Sequence, residues 1–336
     1  MRASVFRGQR RLVAEDWPVP SIGAGELLVR LRGCGLCGSD IAKVLAPSTK
    51  VPSVLGHELV GDVVTVGAGV RAFAVGDRVV AAHHVPCGDC HYCRHGSESM
   101  CPAFKASHLD PGGFAEYVRL PAPNVEHATF RVPVHVSDEA ASFVEPVACC
   151  LRATRRAAVL PGDTAVVVGL GSIGCLFVQL LRRAGSLVVG CDPIDGRGDL
   201  ARKLGATAAG PAERASTEAR ALSDGRGADL VVVTGGGGDV LPWAAQVLRD
   251  GGAVHYFAGG AATALPLPLE TLYHRELTIT TTYSSSPQDL AAAFALITRG
   301  DIAVTELISH RVPLARLGEG VELMRHHQAL KVFVTP

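Results

Sequence analysis

Ala165-Val166-Val167-Val168-Gly169-Leu170-Gly171-Ser172-Ile173-Gly174-Cys175-Leu176-Phe177 is the stretch that decides the fold class. Four small or β-branched apolar residues run into a G-x-G-x-x-G turn. Beyond the turn, Ile173, Leu176, Phe177, Leu180 and Leu181 recur at i, i+3, i+4, i+7 and i+8, one face of a helix. A second apolar strand, Leu187–Cys191, ends at Asp192, roughly twenty residues after Gly169. Strand, glycine turn, helix, strand and acid in this order describe a dinucleotide site. Gly169 permits the tight turn, Gly171 lets the backbone approach a pyrophosphate, and Gly174 lets helix and strand pack closely. Ser172 and Ile173 open the helix, where unpaired N–H groups and the positive end of the helix dipole favour an anion. Asp192 is the residue to meet an adenosine ribose, unless it is a plain surface carboxylate. As a ribose ligand it favours NAD and disfavours NADP, with Arg197 and Arg202 close enough to blunt that preference.

Outward from this turn, strands continue to alternate with helical patterns. Asp229–Val233 and Ala253–Phe257 read as further strands, and a helix runs to Leu204. Such alternation implies parallel βαβ units. Thr234 opens a glycine run, Gly235–Gly238, that reads either as a loop on the nicotinamide side or as a flexible turn. The first 125 residues are different in texture. Glu26–Leu31, Val60–Val66 and Asp77–Ala81 are strands punctuated by Gly and Pro. After about Thr280 come a helix at Pro287–Arg299, another near Leu314–Arg325 and a closing strand, Lys331–Thr335. The expected fold class is α/β, with a discontinuous β-rich domain (1–143 and 280–336) and a doubly wound parallel-sheet domain (144–279) inserted into it.

Composition excludes several classes. The chain has 336 residues, 48% of them hydrophobic, with 32 basic and 32 acidic residues in balance. Disorder and low-complexity architecture are ruled out. A neutral chain has no overall field to draw nucleic acid or an anionic membrane, so neither is an expected partner. Two uncharged runs, Thr164–Leu181 and Gly251–Leu269, are about as long as a membrane span, but both are broken by glycines and polar residues. The start, Met1-Arg2-Ala3-Ser4-Val5-Phe6-Arg7, has no apolar leader and reads as a strand. A reduced, cytoplasmic protein is expected, in which cysteines bind metal rather than each other.

The cysteines support that reading. Cys87, Cys90, Cys93 and Cys101 form C-x2-C-x2-C-x7-C inside a lobe spanning residues 84–104. Four thiolates close a tetrahedral shell and leave no open position, so the ion is structural; zinc is the first choice and an iron–sulfur cluster the rival. A DNA-binding zinc ribbon is disfavoured by the neutral charge and by Asp89 and Glu98. A second set, Cys37 with His57 and Glu58, offers three ligands and leaves a fourth position for substrate. On spacing alone, His57 is equally a hydrogen-bonded turn residue.

These motifs in this order resemble the zinc-dependent medium-chain dehydrogenases of alcohol, sorbitol and threonine dehydrogenase type. The markers are Cys37-Gly38-Ser39-Asp40, Gly56-His57-Glu58, Val75–Val79, the four-cysteine lobe, Gly112–Tyr117, Gly169–Gly174 and Lys331-Val332. The resemblance implies a GroES-like catalytic domain, a Rossmann domain and a cleft holding zinc and nicotinamide. It makes Cys37 and His57 ligands of a catalytic zinc and Glu58 a third or alternating ligand. Glu145 stands where the polyol and threonine branch places a carboxylate beside the metal. Ser39 passes the substrate hydroxyl proton outward, and the relay His usual three residues later is replaced by Ala42. His84 matches a substrate-side His of threonine dehydrogenases, or is an ordinary loop residue beside His83. Cys149 and Cys150 read as helix packing. The implied activity is NAD-linked oxidation of a secondary alcohol, a small molecule such as a polyol, cyclitol, aminocyclitol or amino alcohol. Threonine 3-dehydrogenase or simple alcohol dehydrogenase activity is the alternative, and a catalytically silent binding protein is the non-enzymatic one. A homodimer or homotetramer is expected, with the segment Ala253–Leu269 in the contact.

Overall fold

The computed structural model describes residues 1–237, 239–258 and 266–336. The chain divides into two compact units, Met1–Ala148 with Ser285–Pro336, and Cys149–Ser284. The sequence reading drew these borders about five residues earlier, at 143/144 and 279/280. Gly238 of the glycine run and residues 259–265 of the expected contact segment lie outside the described residues.

The inserted unit is built on six strands. They are β1 (Thr164–Val168), β2 (Leu187–Cys191), β3 (Ala208–Gly210), β4 (Ala228–Val233), β5 (Leu248–Tyr256) and β6 (Thr278–Thr281). Their order across the sheet is β3-β2-β1-β4-β5-β6, and every neighbouring pair is parallel. Every residue of β1 is buried, as a central parallel strand covered on both faces requires. Strand order reverses beside β1, and in such sheets ligands bind outside the carboxyl end of the strands at that point. The glycine turn leaves β1 there. Gly169 has φ +87°, a conformation that a side chain resists, and Gly174 lies so close to it that a Cβ would fall 1.8 Å from the Gly169 carbonyl oxygen. Gly171 has open space around its missing Cβ. The fifth strand begins at Leu248 rather than Ala253; Gly251 and Gly252 sit within it, and its register against β4 shifts between Ala228 and Leu230.

The other unit carries a seven-stranded sheet. Its order is His310–Pro313, Val332–Thr335, Leu27–Leu36, Glu58–Val66, Arg78–Ala81 and Thr129–Arg131, with Tyr117–Leu120 also paired to Leu27–Leu36. A smaller sheet joins Leu12–Asp16, Arg2–Phe6 and Ser53–Val54. The strand predicted at Glu26–Leu31 runs on to Leu36. Gly33 and Gly35 make room within it, since a Cβ on Gly33 would fall 2.0 Å from the Phe333 ring. The last helix is shorter than expected: Leu314–Arg316 is a 3-10 turn and the helix is Leu317–Arg325. Cys149 and Cys150 are buried on the helix Val144–Ala157. Among the described residues no helix is long and apolar enough to cross a membrane.

Two predictions follow from this packing. Gly174→Ala lowers stability by about 1–3 kcal/mol through overpacking, while Gly171→Ala stays within about 0.5 kcal/mol of the parent; thermal melts of the two variants check this. His255 on β5 is fully buried, with Nδ1 2.9 Å from Thr280 Oγ1, and burial, aided by the charge of Arg156, pushes its pKa down to about 4. The unfolded chain takes up this proton near pH 6.5 and the folded chain does not. Stability therefore falls as pH drops from 6.5 toward 4, and His255→Leu shrinks that fall by about 2 kcal/mol in urea titrations at pH 7 and pH 4.5.

Candidate metal centres and dinucleotide turn

Three strands in register assemble the inner donor set. Gly35 faces Glu58 on one neighbour and Phe333 on the other. Cys37 follows immediately, at the N-terminus of the helix Gly38–Leu45. Glu58 begins its strand with His57 directly before it, and Lys331 directly precedes the last one. One ligand atom each of Cys37, His57 and Glu58 lies within 4.8 Å of the others. His57 and Glu58 are buried, and Cys37 is partly so. Lys331 Nζ sits 2.6 Å and 2.5 Å from the two Glu58 oxygens, with both side chains at most 3% exposed. A Cβ on Gly35 would fall 1.9 Å from Glu58 Oε2, so only glycine leaves room for the pair.

Asp40 organises the rest. Its carboxylate accepts the Cys37 and Gly56 N–H groups at 3.2 Å each, tying the two ligand loops together. Asp40 Oδ1 stands 3.4 Å from His57 Nδ1, a nitrogen that makes no hydrogen bond. Burial pushes His57 down, but the Asp40 charge outweighs it and raises the imidazole well above its ordinary pKa. Burial likewise depresses Lys331, and the negative charges of Glu58, Cys37 and Glu145 more than restore it. Glu145 is buried on the first turn of the helix Val144–Ala157. Ser39, the second residue of the Cys37 helix, is exposed, as is Ala42 about one turn further on. A row of rings leads away from the donors: His57 to His83 at 4.5 Å between centroids, His83 to His84 at 3.8 Å, His84 to Phe104 at 4.7 Å. His84 Nδ1 is 2.6 Å from the Ser107 carbonyl, and burial, working against that bond, brings its pKa down to about 4.

The cysteine lobe is a separate cluster. Cys90 and Cys93 sulfurs are 3.5 Å apart, Cys87 and Cys101 3.6 Å, and Cys87 and Cys93 4.0 Å. A tetrahedral ion with Zn–S of about 2.3 Å needs S···S of about 3.8 Å, which these values bracket. Burial pushes Cys93 up to about 12. Burial pushes Cys101 the same way, but N–H groups of Cys87 and Phe104 and neighbouring thiols bring it down to about 6.

In the inserted unit, two side chains pin the glycine turn. Thr234 Oγ1 donates toward the Val168 and Gly169 carbonyls at 3.0 and 2.8 Å. Asp192 is buried, not a surface carboxylate, and accepts the Leu170 N–H at 2.7 Å. Ser172 and Ile173 start the helix Ser172–Arg183, whose N-cap Gly171 supplies no side-chain cap.

Comparison with known proteins gives two matching families: the alcohol dehydrogenase GroES-like domain over residues 23–130 and the zinc-binding dehydrogenase domain over residues 172–299. A sorbitol dehydrogenase of Bacillus subtilis is 28% identical over 356 residues, covering 100% of this chain and 97% of that protein. An L-threonine 3-dehydrogenase of Deinococcus radiodurans is 30% identical, over 94% of this chain and 92% of its own length. The crystal structure of an alcohol dehydrogenase from Thermus sp. ATN1 superposes with a TM-score of 0.87 at 29% identity, covering 100% of this chain and 99% of that one. The chain is a zinc-dependent medium-chain dehydrogenase. It is therefore an oxidoreductase acting on an alcohol or polyol, and the silent binding protein is set aside.

The donor chemistry of this dehydrogenase fits a divalent cation at the inner set. Cys37, His57 and Glu58 offer a thiol sulfur, an imidazole and a carboxylate, donor types that a zinc ion takes. His57 Nδ1 is an orphaned buried polar atom beside them. Sequence reasoning quoted Asp40 and Lys331 only inside motifs and gave them no role. Asp40 carried a usable signal, an acid three residues into the helix that Cys37 starts. Lys331 carried none, because its partner lies at the far end of the chain.

Lys331→Met leaves Glu58 charged and unpaired in the interior, and urea titration shows a loss of about 3–5 kcal/mol. The double variant Glu58→Gln/Lys331→Met regains at least half of that loss. A single variant as stable as the parent contradicts the pairing.

Proposed function

We propose that this dehydrogenase oxidises a polar secondary alcohol, a polyol, cyclitol or amino alcohol, with NAD as hydride acceptor. The observation that carries the reading is the inner donor set, Cys37, His57 and Glu58 within 4.8 Å, with Lys331 paired to Glu58. Cys37, His57 and Glu58 or Glu145 would hold a catalytic zinc, and Cys87, Cys90, Cys93 and Cys101 a structural one. When bound, zinc makes the substrate hydroxyl acidic and nicotinamide takes the hydride.

The chain's own residues do the rest. Asp40 orients the His57 ring, as carboxylates behind metal-binding imidazoles commonly do. Lys331 holds Glu58 in reserve, so that either Glu58 or Glu145 completes the shell. Ser39 takes the hydroxyl proton, and with Ala42 in place of a relay imidazole, water carries it onward. His84 donates its Nδ1–H to Ser107 and so presents Nε2 as an acceptor, uncharged down to about pH 4. An acceptor there suits a second hydroxyl or an ammonium on the substrate. The sorbitol and threonine dehydrogenase relatives act on compounds of these kinds by name. Asp192, Gly169, Gly171, Ser172, Ile173, Gly174 and Thr234 form the dinucleotide turn. The contact segment expected from the sequence, Ala253–Leu269, begins on β5, an inner strand of its sheet; the outer strand is β6, with Thr278 and Thr281 exposed, and this is the edge we propose to pair with a second copy in a dimer or tetramer.

Two measurements test the reading. Elemental analysis of the purified chain gives about two zinc ions, and about one in Cys37→Ser/His57→Ala; one ion in the parent rules out the inner site. A panel of alcohols with NAD gives higher kcat/KM for polyols, cyclitols or amino alcohols than for primary alcohols by at least about tenfold, and His84→Phe erodes that margin. Preference for simple primary alcohols overturns the polar-substrate reading.

A further inference from the structure

Two short helices grip the stretch that carries His84, and one of them belongs to the cysteine lobe. Residues 82–85 follow directly after the strand Arg78–Ala81. From one side Asn124, fully buried on the helix Ala122–His127, donates its amide to the Ala82 and His83 carbonyls at 2.9 and 3.1 Å. From the other side comes Ser107, the residue that closes the helix Pro102–Ala106. Its hydroxyl accepts the Val85 N–H at 2.8 Å and donates to the Phe104 carbonyl at 2.9 Å. A hydroxyl carries one proton and two lone pairs, so both bonds stand together. Val85 is 2% exposed, which makes its N–H dependent on that oxygen. The Ser107 carbonyl meets His84 Nδ1 at 2.6 Å.

The contacts continue into the lobe. Phe104 is buried, its ring lies 4.7 Å from the His84 ring, and its N–H is directed to the Cys101 sulfur. Cys101, fully buried, is the N-cap of the helix that Ser107 closes, so one stiff piece of chain joins a lobe cysteine to the partner of His84.

We propose that Ser107 is a specificity-determining positioning residue: its hydroxyl locks the segment carrying His84 to the helix that leaves Cys101, and so fixes the place and the tautomer in which His84 meets a polar substrate. The inference rests on the substrate-side reading of His84 given above. A carbonyl selects the Nδ1–H tautomer only while it stays in reach, and recognition needs the acceptor held to within about 0.5 Å. Without the hydroxyl, Val85 and Phe104 share no common partner, and Asn124 still holds only the residues before His84. The cysteine lobe thereby has a part in substrate choice, exerted through Phe104 and Ser107.

Two measurements on the whole protein test this. Nitrogen-15 spectra of the parent show His84 as one neutral tautomer with its proton on Nδ1, a signal assigned by its loss in His84→Phe. In Ser107→Ala both tautomers appear. Ser107→Thr keeps the hydroxyl on an extended backbone that threonine favours, and restores the single one. An unchanged tautomer in Ser107→Ala overturns the positioning role. In kinetics with NAD, Ser107→Ala raises KM for the best polyol by at least about fivefold with kcat within about twofold, and leaves both constants for 2-butanol within about twofold. Equal losses on the two alcohols, or no rescue by Ser107→Thr, mean general damage and overturn the proposal. If His84→Phe erodes the preference for polar alcohols and Ser107→Ala does not, this inference fails alone. If neither variant alters that preference, the substrate-side reading of His84 fails and this inference falls with it.

Discussion

The buried pair Glu58–Lys331 is the constraint around which the β-rich unit is arranged. Two charges are placed where water does not reach, which is costly unless each has its counterpart at contact distance. That contact exists only in one register of three strands. Leu27–Leu36 must face Glu58–Val66 so that Gly35 meets Glu58, and Val332–Thr335 must face it so that Phe333 meets Gly35. A slip of one residue turns the side chains of a strand to its opposite face. The same register sets Cys37 beside Glu58, so the ion pair and the donor set are specified together. The C-terminal segment thereby becomes part of the site although more than two hundred residues separate it from Glu58.

The inserted unit solves a similar problem with neutral and charged hydrogen bonds. A glycine turn has little intrinsic preference for one shape, and glycine loses more freedom on ordering than any other residue. Thr234 and Asp192 hold it from the two flanking strands, one through carbonyl oxygens and the other through an N–H.

Much of the fold was legible, and the reasons are local. β2 was read to the residue at Leu187–Cys191, because a central parallel strand is a plain apolar run. The G-x-G-x-x-G turn identified the sheet type, since strand, turn and helix are contiguous. The errors cluster where long-range contacts override local signals. Gly33 and Gly35 look like loop residues until Phe333 and Glu58 are seen to fill the space beside them. Gly251 and Gly252 hid the start of β5 in the same way. At the inner set, Cys37, His57 and Glu58 were named from motif and resemblance. Asp40 and Lys331 went unassigned, because a bonded carboxylate and a distant lysine have no sequence spacing that marks them.

The two donor sets differ in how they manage charge, and burial decides the difference. Four thiolates around a divalent ion retain two negative charges. The lobe tolerates that surplus because Cys87 is exposed and Cys90 and Cys93 are partly so, which leaves solvent to screen it. The inner set is less open, with His57, Glu58 and Glu145 buried and Cys37 partly exposed. A lysine in the interior opposes part of the negative charge there, through its contact with Glu58. Lys331 thus links the strand register to the donor set through one contact, since removing its charge leaves Glu58 unpaired where both meet.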